Sequence, residues 1–386
     1  MSARGGAAYD AVVIGLGGMG SAALAHLASR GKRVVGLERF GPAHAMGSSH
    51  GASRIIRQAY FEHPSYVRLL QRAYELWGDL ERRSGERLML RTGGLMAGAP
   101  DSEVVTGSLR SAREHGLAHQ VLEAADIRRR FPALRPLPGE VALYEEPAGV
   151  LFPEACILAH LRWAAEAGAE ARFGTRVTSW HASDGGVAVE TAAGERIRAS
   201  TLVIAAGAWF GRMASDLVLP LKVERNVMHF FQPIAHGEDF GPDRVPVYIL
   251  DREGVPMLYG FPMLPDQGLK AAFHHSLAYA DPETIDRNVS AEEVAAFADS
   301  WRGWVPGGAG THLGSKACMY TMTPDEHFVI GKHPAHENVV LAGGFSGHGF
   351  KFCAVVGEIV ADLAVEGTSR HRIDLFAPER FARASG

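Results

Sequence analysis

The chain has 386 residues, of which 47% are hydrophobic and 21% are charged, and its formal net charge is −4 at pH 7. This composition is typical of a soluble globular protein, and the acidic excess argues against a general binder of nucleic acid. The three cysteines, Cys156, Cys318 and Cys353, are far apart. Their spacing fits neither a disulfide framework nor a metal site and is typical of a reducing compartment. Because we find no secretion signal and no apolar stretch that could span a membrane, we expect a cytoplasmic protein.

The first forty residues predict a strand, a tight turn, a helix and a second strand. Residues 11–15, AVVIG, form a continuous apolar run, as in a parallel strand that is buried on both faces. The segment GGMGSAALAHLASRG has helical periodicity and stops at Gly31, and RVVGLE is the second strand. This βαβ start predicts a doubly wound sheet with a right-handed crossover.

A glycine pattern occupies the turn between the first strand and the helix. Gly15, Gly17 and Gly20 fit G-x-G-x-x-G, in which the glycines let the backbone turn tightly and approach a pyrophosphate at the helix N-terminus. Glu38 follows Gly20 by 18 residues, where a carboxylate can accept a hydrogen bond from a ribose hydroxyl. Together these features predict a dinucleotide site. The acid argues against NADP and leaves NAD and FAD open.

The rest of the chain predicts a mixed α/β fold with two domains. Apolar periodicity predicts helices over 64–84, 101–115, 124–130 and 154–168 and near 291–301, and most of 218–320 alternates as strands do. The last block repeats the strand, glycine turn and helix of the first. We therefore predict a discontinuous Rossmann-like cofactor domain over 1–86, 146–217 and 322–386. A mostly antiparallel substrate domain over 87–145 and 218–321 is inserted into it.

The order of the motifs resembles the monomeric sarcosine oxidase and N-methyltryptophan oxidase family, FAD-dependent amine oxidases of the D-amino acid oxidase superfamily. The resemblance runs nearly the whole chain, and its two last motifs are the most specific. The motifs are YDAVVIGLGGMGSAA, GSSHGASRIIRQAY, VIAAGAW, YGFP, GLKAAFHH, KACMYTMTPDEHFVIG and GFSGHGFKF.

The resemblance implies roles for individual residues. It implies that Cys318 carries FAD covalently through the flavin 8α-methyl carbon, as 8α-S-cysteinyl FAD, whereas the thiol alone could equally be a buried packing residue. It implies that Arg57 and Lys351 grip the substrate carboxylate and that Lys270, near flavin N5, activates O2. His274, Tyr259 and Tyr320 correspond to residues of the substrate pocket, and His50 and Arg54 to residues beside the flavin. Further predicted cofactor contacts are Arg39, Ser48, Val177, Gly207, Gly347, His348, Gly349, Phe350 and Lys351.

These residue types also have ordinary explanations, and the sequence departs from the family in two places. Lys270 alone would be a surface lysine on a strand, and Arg57 an ion-pair partner. Ala52 stands where sarcosine-type enzymes often carry an acid, and Ser53 where they carry threonine, so a proton relay through that acid is in doubt. Residues 263–267, MLPDQ, also differ from the glycine-rich family version, which affects the expected size of the substrate.

The implied reaction is oxidation of a secondary amino acid by hydride transfer to FAD N5. An N-methyl amino acid, O2 and water would give the amino acid, formaldehyde and H2O2, and two cations beside the substrate would favour its neutral amine. The expected partners are this small amine and O2, without nucleic acid or membrane, and we expect a monomer. Alternatives are an oxidase of N-methyltryptophan, pipecolate or proline and an FAD dehydrogenase that uses an electron carrier. An NAD-dependent dehydrogenase and a non-catalytic dinucleotide-binding module are more distant alternatives.

Overall fold

The structure is a computed structural model, and it describes residues 9–183 and 185–385. No helix within these residues is long and apolar enough to cross a membrane. The α-helices are α1 Gly18–Ser29, α2 Tyr66–Ser84, α3 Glu103–Glu114, α4 Ala124–Arg130, α5 Pro153–Glu166, α6 Phe210–Met213, α7 Ala291–Arg302 and α8 Cys353–Glu366. Short 3-10 helices span Gly207–Trp209, Ser215–Leu217, Gly237–Phe240, Phe350–Phe352, Asp374–Phe376 and Pro378–Ser385.

The strands of the described residues form three sheets. In chain order they are β1 Tyr9–Ile14, β2 Val34–Leu37, β3 Arg54–Ile56, β4 Met89–Arg91, β5 Gly94–Gly98, β6 Gln120–Glu123, β7 Val141–Glu145, β8 Gly149–Leu151, β9 Glu170–Arg172, β10 Val177–Ser183, β11 Gly186–Thr191, β12 Arg196–Ile204, β13 Lys222–Phe231, β14 Val247–Arg252, β15 Val255–Gly260, β16 Leu269–Phe273, β17 His312–Met322, β18 Val329–His333 and β19 His336–Gly343.

The first sheet joins the two ends of the chain. Its order is β10-β11-β12-β1-β2-β9, and β19 pairs with β12 and carries β18. The pairs β1–β12, β1–β2, β2–β9 and β12–β19 are parallel, which fits the apolar runs of these strands. Helices α1, α5 and α8 pack together above this sheet, and Gly357 lets α8 approach α1, because a Cβ there would lie 2.6 Å from the Cβ of Ala22.

The second sheet is mostly antiparallel, with the order β17-β13-β16-β15-β14-β5-β7-β6. Its longest pairing joins β13 to β17, and only β14–β5 is parallel among its described pairs. One face packs on a core that includes Phe297, Trp301 and Trp304 from α7 and the turn after it. The third sheet is the small antiparallel set β3-β8-β4.

The predicted mixed α/β fold is confirmed: a sheet with parallel pairs is built from distant segments, and a mostly antiparallel sheet is inserted between them. The residue ranges assigned to the two domains stay a prediction. The helix predicted after the GFSGHGFK turn is α8, which begins at Cys353, and the short 3-10 helix Phe350–Phe352 leads into it.

Candidate functional site

A large cavity lies at the carboxyl ends of the parallel strands. Its volume is about 400 Å3, and its wall includes Ile14 and Leu37, which end β1 and β2, and Ala205, which follows β12. Doubly wound sheets bind their ligands at this edge. Many residues predicted from the sequence line this cavity: Gly15, Gly17, Glu38, Arg39, Ser48, Arg54, Val177, Gly207, Tyr320, Gly347, Gly349 and Phe350.

The glycine turn is needed for close approach of backbone segments. Gly15 has φ +87°, and a Cβ on it would lie 2.6 Å from the carbonyl oxygen of Ala205. Gly20 lies outside the cavity wall, and a Cβ there would lie 1.7 Å from the carbonyl oxygen of Gly15. The absence of a Cβ at Gly20 thus lets α1 pack against the turn, and Gly18 and Met19 at the N-terminus of α1 line the cavity.

The carboxylate of Glu38 holds the glycine turn through hydrogen bonds to the backbone. Its two carboxylate oxygens accept hydrogen bonds from the backbone N–H groups of Leu16 at 2.8 Å and Phe40 at 2.9 Å. His44 Nε2 lies 3.2 Å from the same carboxylate. Burial alone would raise the pKa of Glu38, but these partners outweigh it and hold the pKa below its usual value. A carboxylate has about four acceptor positions, so Glu38 can also accept from a ribose hydroxyl.

Arg39 lies at the outer end of the large cavity, where it contacts a segment 244 residues away. Its guanidinium donates two hydrogen bonds, of 2.7 and 2.8 Å, to the carboxylate of Glu283. Trp209 Nε1 donates to the same carboxylate at 2.9 Å. Arg212 completes the cluster with a bidentate ion pair to Asp281. Three chain segments therefore meet at this end of the cavity.

A second, small cavity adjoins the large one. Its volume is about 60 Å3, and it shares four lining residues with the large cavity, namely Arg54, Tyr320, Gly347 and Phe350. Its other lining residues are Ile55, Arg57, Phe61, Glu62, Ile249, Tyr259, Phe261, His274, His348 and Lys351. The structure therefore brings together all the residues predicted for the substrate. It also places His348 and Lys351, which were predicted at the cofactor, on the small cavity rather than on the large one.

Arg57 lies in the small cavity but already has an anionic partner. Its guanidinium donates to both carboxylate oxygens of Glu62, at 2.7 and 2.6 Å, and to the carbonyl of Ala59. The aromatic rings of Tyr60 and Phe61 hold its planar group at 4.1 and 4.6 Å. Burial alone would raise the pKa of Glu62, but the charge of Arg57 outweighs it and lowers the pKa to about 2.

Lys351 is the second cation of the small cavity. Its Nζ donates to the carbonyl of His348 at 2.7 Å and lies 3.4 Å from the hydroxyl of Tyr60. Burial, and then the positive charge of Arg57, lower the pKa of Lys351 to about 7. His348 Nε2 contacts the carbonyl of Glu326 at 2.9 Å, so Nδ1 accepts from Tyr60 at 2.6 Å. Lys351 is therefore a buried lysine with a pKa near 7, and it shares the small cavity with Arg57, whose guanidinium is held by Glu62 and Ala59.

Aromatic rings form the remaining wall. The hydroxyl groups of Tyr259 and Tyr320 are 3.5 Å apart, and the ring of His274 lies 6.3 Å from the ring of Tyr259, 6.2 Å from that of Tyr320 and 4.2 Å from that of His275. Burial lowers the pKa of His274 well below its usual range, and the charge of His275 adds to the effect. The ring of His274 is therefore neutral.

Cys318, Lys270 and His50 lie behind the wall of the large cavity and cluster around the wall residue Arg54. Cys318 Sγ lies 3.5 Å from the carbonyl of Ser48, a wall residue, and 3.9 Å from the guanidinium of Arg54. Lys270 lines neither of the two cavities, and its Nζ donates to the carbonyls of Gly51 at 2.9 Å and Ser53 at 2.6 Å.

Two groups of this cluster are strongly perturbed by burial. Burial lowers the pKa of Lys270 well below its ordinary value, and Arg54 adds to the effect. Burial and the charges of Arg54 and Lys270 lower the pKa of His50 to about 3. Neither ring nitrogen of His50 has a hydrogen-bond partner in the described part of the chain. His50 is therefore a neutral ring next to two cations.

Sequence reasoning missed several groups that shape the two cavities. Glu62 lies outside the motifs, although an acid five residues after Arg57 is a simple candidate for its partner, and Tyr60 ends the motif GSSHGASRIIRQAY but was not singled out. Glu283 and Trp209 come from distant segments, and no local pattern could have paired them. His44, six residues after Glu38, was within the glycine- and histidine-rich loop but was not singled out.

One group outside these cavities has metal-ligand residue types. Asp216, His333 and His336 have ligand atoms within 4.8 Å of one another. Nδ1 of His333 accepts from the N–H of Ala335, so its proton lies on Nε2, 2.9 Å from the carboxylate of Asp216. Because Nε2 of His333 carries its proton and Nδ1 is engaged by a backbone N–H, neither nitrogen is free to bind a metal in this arrangement.

A parallel sheet with a glycine turn and a strand-end acid, next to a small cation-lined cavity, defines a dinucleotide-dependent oxidoreductase. The family described as FAD dependent oxidoreductase matches residues 10–363. The chain belongs to this family.

Similar proteins are consistent with membership of this family. The chain is 53% identical over 380 residues to monomeric sarcosine oxidase of Streptomyces avermitilis, covering 97% of this chain and 98% of that one. It is 35% identical over 377 residues to N-methyl-L-tryptophan oxidase of Salmonella arizonae, covering 97% and 100%. A solved structure of NikD, an unusual amino acid oxidase essential for nikkomycin biosynthesis, superposes with a TM-score of 0.85 at 26% identity, covering 96% and 97%.

Proposed function

We propose that this FAD-dependent oxidoreductase oxidises a small N-methyl amino acid and passes the electrons to O2. We propose sarcosine as the preferred substrate. The observation that carries the proposal is the small cavity, in which Arg57 and Lys351 converge next to the large cavity. A carboxylate is recognised by such a pair, since arginine offers a planar fork and lysine a point charge. The similarity to monomeric sarcosine oxidase supports the same substrate class.

The volume of the small cavity favours a small substrate. About 60 Å3 corresponds to about four to six water-sized positions. Sarcosine has about six non-hydrogen atoms, whereas N-methyltryptophan has about sixteen. Ile249, Phe61 and Phe261 bound the cavity with bulky apolar side chains. We therefore place N-methyltryptophan below sarcosine as a substrate.

The residues of the large cavity fit FAD. The glycine turn, the N-terminus of α1 and Glu38 would hold the pyrophosphate and ribose, and the cradle tolerates no Cβ at Gly15 or Gly20. When bound, FAD supplies the hydride acceptor for amine oxidation and the route of electrons to O2. The 3-10 turn Phe350–Phe352 and the glycines before it bring backbone N–H groups to the shared wall of the two cavities.

Cys318 is the proposed covalent attachment point. It lies on β17, directly before Met319 and Tyr320, both of which line the large cavity. Its Sγ lies 3.5 Å from the carbonyl of Ser48, which lines the large cavity, and 3.9 Å from the guanidinium of Arg54. Forming a thioether to a methyl carbon removes two hydrogens with their electrons, which O2 takes up as H2O2.

The chain's own residues prepare the substrate. Arg57 and Lys351 bind the carboxylate, which shares Arg57 with Glu62 or displaces it. Their positive charges disfavour the ammonium form of the substrate, so the amine is bound neutral without a dedicated base. Tyr259, Tyr320 and the neutral His274 exclude water and line the reacting end of the cavity. Lys270 Nζ donates to the carbonyls of Gly51 and Ser53, which favour the ammonium form against the effect of burial, and in that form its positive charge would favour the reduction of O2.

A panel of amines tests the proposal. Purified protein is given sarcosine, N-methyl-L-tryptophan, L-pipecolate and L-proline, and H2O2 and formaldehyde are measured. We expect the highest kcat/KM with sarcosine, with equal amounts of H2O2 and formaldehyde. Turnover only with an artificial electron carrier would show that O2 is not the electron acceptor. A preference for a cyclic or aromatic substrate would refute the argument from the volume of the small cavity. We also propose that the enzyme is a cytoplasmic monomer.

A further inference from the structure

Glu224 is a buried carboxylate that lies on β13, outside both cavities. Only 1% of its side chain is exposed. It accepts hydrogen bonds from the Asn226 side-chain amide at 2.9 Å and from the backbone N–H of Ser276 at 2.7 Å. Within the described residues the structure pairs it with no lysine or arginine, and its cationic partner is His275, whose Nδ1 lies 3.6 Å away. A buried carboxylate requires such a partner.

A second carboxylate faces the other nitrogen of His275. Glu326 lies 4.0 Å from His275 Nε2, and its backbone has φ +58° in the turn after β17. That turn is fixed because the carbonyl of Glu326 also contacts His348. An acid at each ring nitrogen favours the imidazolium form of His275. Burial alone would lower the pKa of His275, but Glu224 and Glu326 outweigh it, so the pKa is raised.

The charged ring stands directly beside the small cavity. The ring centroids of His275 and His274 are 4.2 Å apart, and His274 lines the cavity. Two adjacent imidazoles at this distance do not readily both become imidazolium ions, because the positive charge of the first disfavours protonation of the second. The other ionisable groups that face these two rings are Tyr259, Tyr320, Glu62, His348, Lys351, Arg54 and Arg57.

We propose that His275 is a positioning residue, which as an imidazolium between Glu224 and Glu326 fixes the neutral state of His274 at the wall of the substrate cavity. This inference rests on the proposed amine oxidation. Hydride removal leaves positive charge on the substrate nitrogen, and a neutral His274 adds no further cation to a cavity that already contains Arg57 and Lys351. The charge of His275 matters for this role, and its ring does not.

Two variants separate the charge from the shape. His275→Gln removes the charge and keeps a hydrogen-bonding side chain for Glu224, whereas His275→Lys keeps a cation between the two acids. His312→Gln is the matched control, because His312 is an exposed histidine that contacts Ser315. Thermal unfolding of each holoenzyme checks that the fold is kept.

The first readout is the ionisation of His274 itself, followed by histidine NMR of the holoenzyme from pH 5 to 9. Its resonance is assigned by its loss in His274→Gln. In wild type, His275→Lys and His312→Gln we expect the same titration behaviour of His274. In His275→Gln the titration of His274 should move to higher pH, because the like charge beside it is removed while burial remains. A His274 titration that is unchanged in His275→Gln overturns the proposal.

The second readout is the pH profile of kcat/KM with sarcosine. In His275→Gln we expect a loss of about threefold or more at pH 6 and a value within about twofold of wild type at pH 8. His275→Lys should restore the wild-type profile. Equal losses in both variants at every pH would indicate a structural role and overturn the proposal. If wild type does not oxidise N-methyl amino acids, the proposed function fails, while the NMR titration still decides the role of His275.

Discussion

Lys351→Met removes one of the two cations of the small cavity and tests its role through pH. Because the pKa of Lys351 is lowered to about 7, the amine is mostly charged at pH 6 and mostly neutral at pH 8. If only the charged form binds a carboxylate, the apparent Kd scales with one plus the ratio of neutral to charged lysine. This factor is about 1.1 at pH 6 and about 11 at pH 8, so the affinity should fall about tenfold.

Acetate is the probe for this prediction, because it carries the carboxylate without the titrating amine of the substrate. Its Kd is measured from the change in the visible flavin spectrum between pH 6 and 8. Wild type should lose about tenfold in affinity, whereas Lys351→Met should bind weakly and without this pH dependence. A wild-type Kd that stays constant across the range would refute the assignment of Lys351 to the carboxylate.

The same pKa has a consequence for stability, with a defined sign. A lysine whose pKa is lowered in the folded state binds fewer protons there than in the unfolded chain. Its contribution therefore makes the protein more stable as pH rises from about 7 toward the ordinary lysine pKa. Lys351→Met should remove this slope and raise the midpoint of thermal unfolding at pH 7. A lower midpoint in Lys351→Met would show that the contacts of Lys351 in the folded state outweigh the cost of burying its amine.

Three further substitutions test other parts of the account. Cys318→Ser should release FAD into the supernatant after acid precipitation, whereas wild type and Cys156→Ser should keep the yellow colour on the protein. Lys270→Met should slow reoxidation by O2 about tenfold or more, with a much smaller effect on anaerobic reduction, and equal slowing of both half-reactions would contradict its role. Gly20→Ala should abolish FAD incorporation, because its Cβ would lie 1.7 Å from the carbonyl oxygen of Gly15.

Matched controls for these substitutions lie elsewhere in the chain. Lys222→Met removes an exposed lysine at the start of β13. Gly41→Ala adds a Cβ where no atom lies within 4 Å. Both variants should retain FAD and both half-reactions. Retention of FAD by Gly20→Ala at the level of Gly41→Ala would show that the turn relaxes and that the close approach is not required.

The local features of the fold could be predicted because each depends on neighbouring residues. The strand, glycine turn and helix at residues 11–31 follow from apolar runs and from φ values that only glycine adopts easily, and Gly15 and Gly31 indeed have φ +87° and +75°. The apolar face of α2, with Val67, Leu70 and Leu80, is buried as its periodicity predicts. The domain ranges, in contrast, stay a prediction.

The pairing of charges could not be predicted, because it depends on contacts between distant segments. Arg39 was expected at the cofactor, but its bidentate partner, Glu283, is 244 residues away in the chain. His275 directly follows His274, but its partner Glu224 is 51 residues away in the chain and lies in none of the motifs. A one-dimensional pattern identifies residue types and leaves such neighbours, which decide protonation states, to the tertiary structure.

The most direct test of the central claim is anaerobic mixing of sarcosine with the wild-type holoenzyme and with Lys351→Met, followed by the visible flavin absorbance. We expect saturable bleaching in wild type. In Lys351→Met the apparent Kd for sarcosine should rise about tenfold or more, with a limiting rate that changes much less. Absence of bleaching in wild type, or the same apparent Kd in both proteins, would contradict the assignment of the small cavity as the site where the N-methyl amino acid is bound and oxidised.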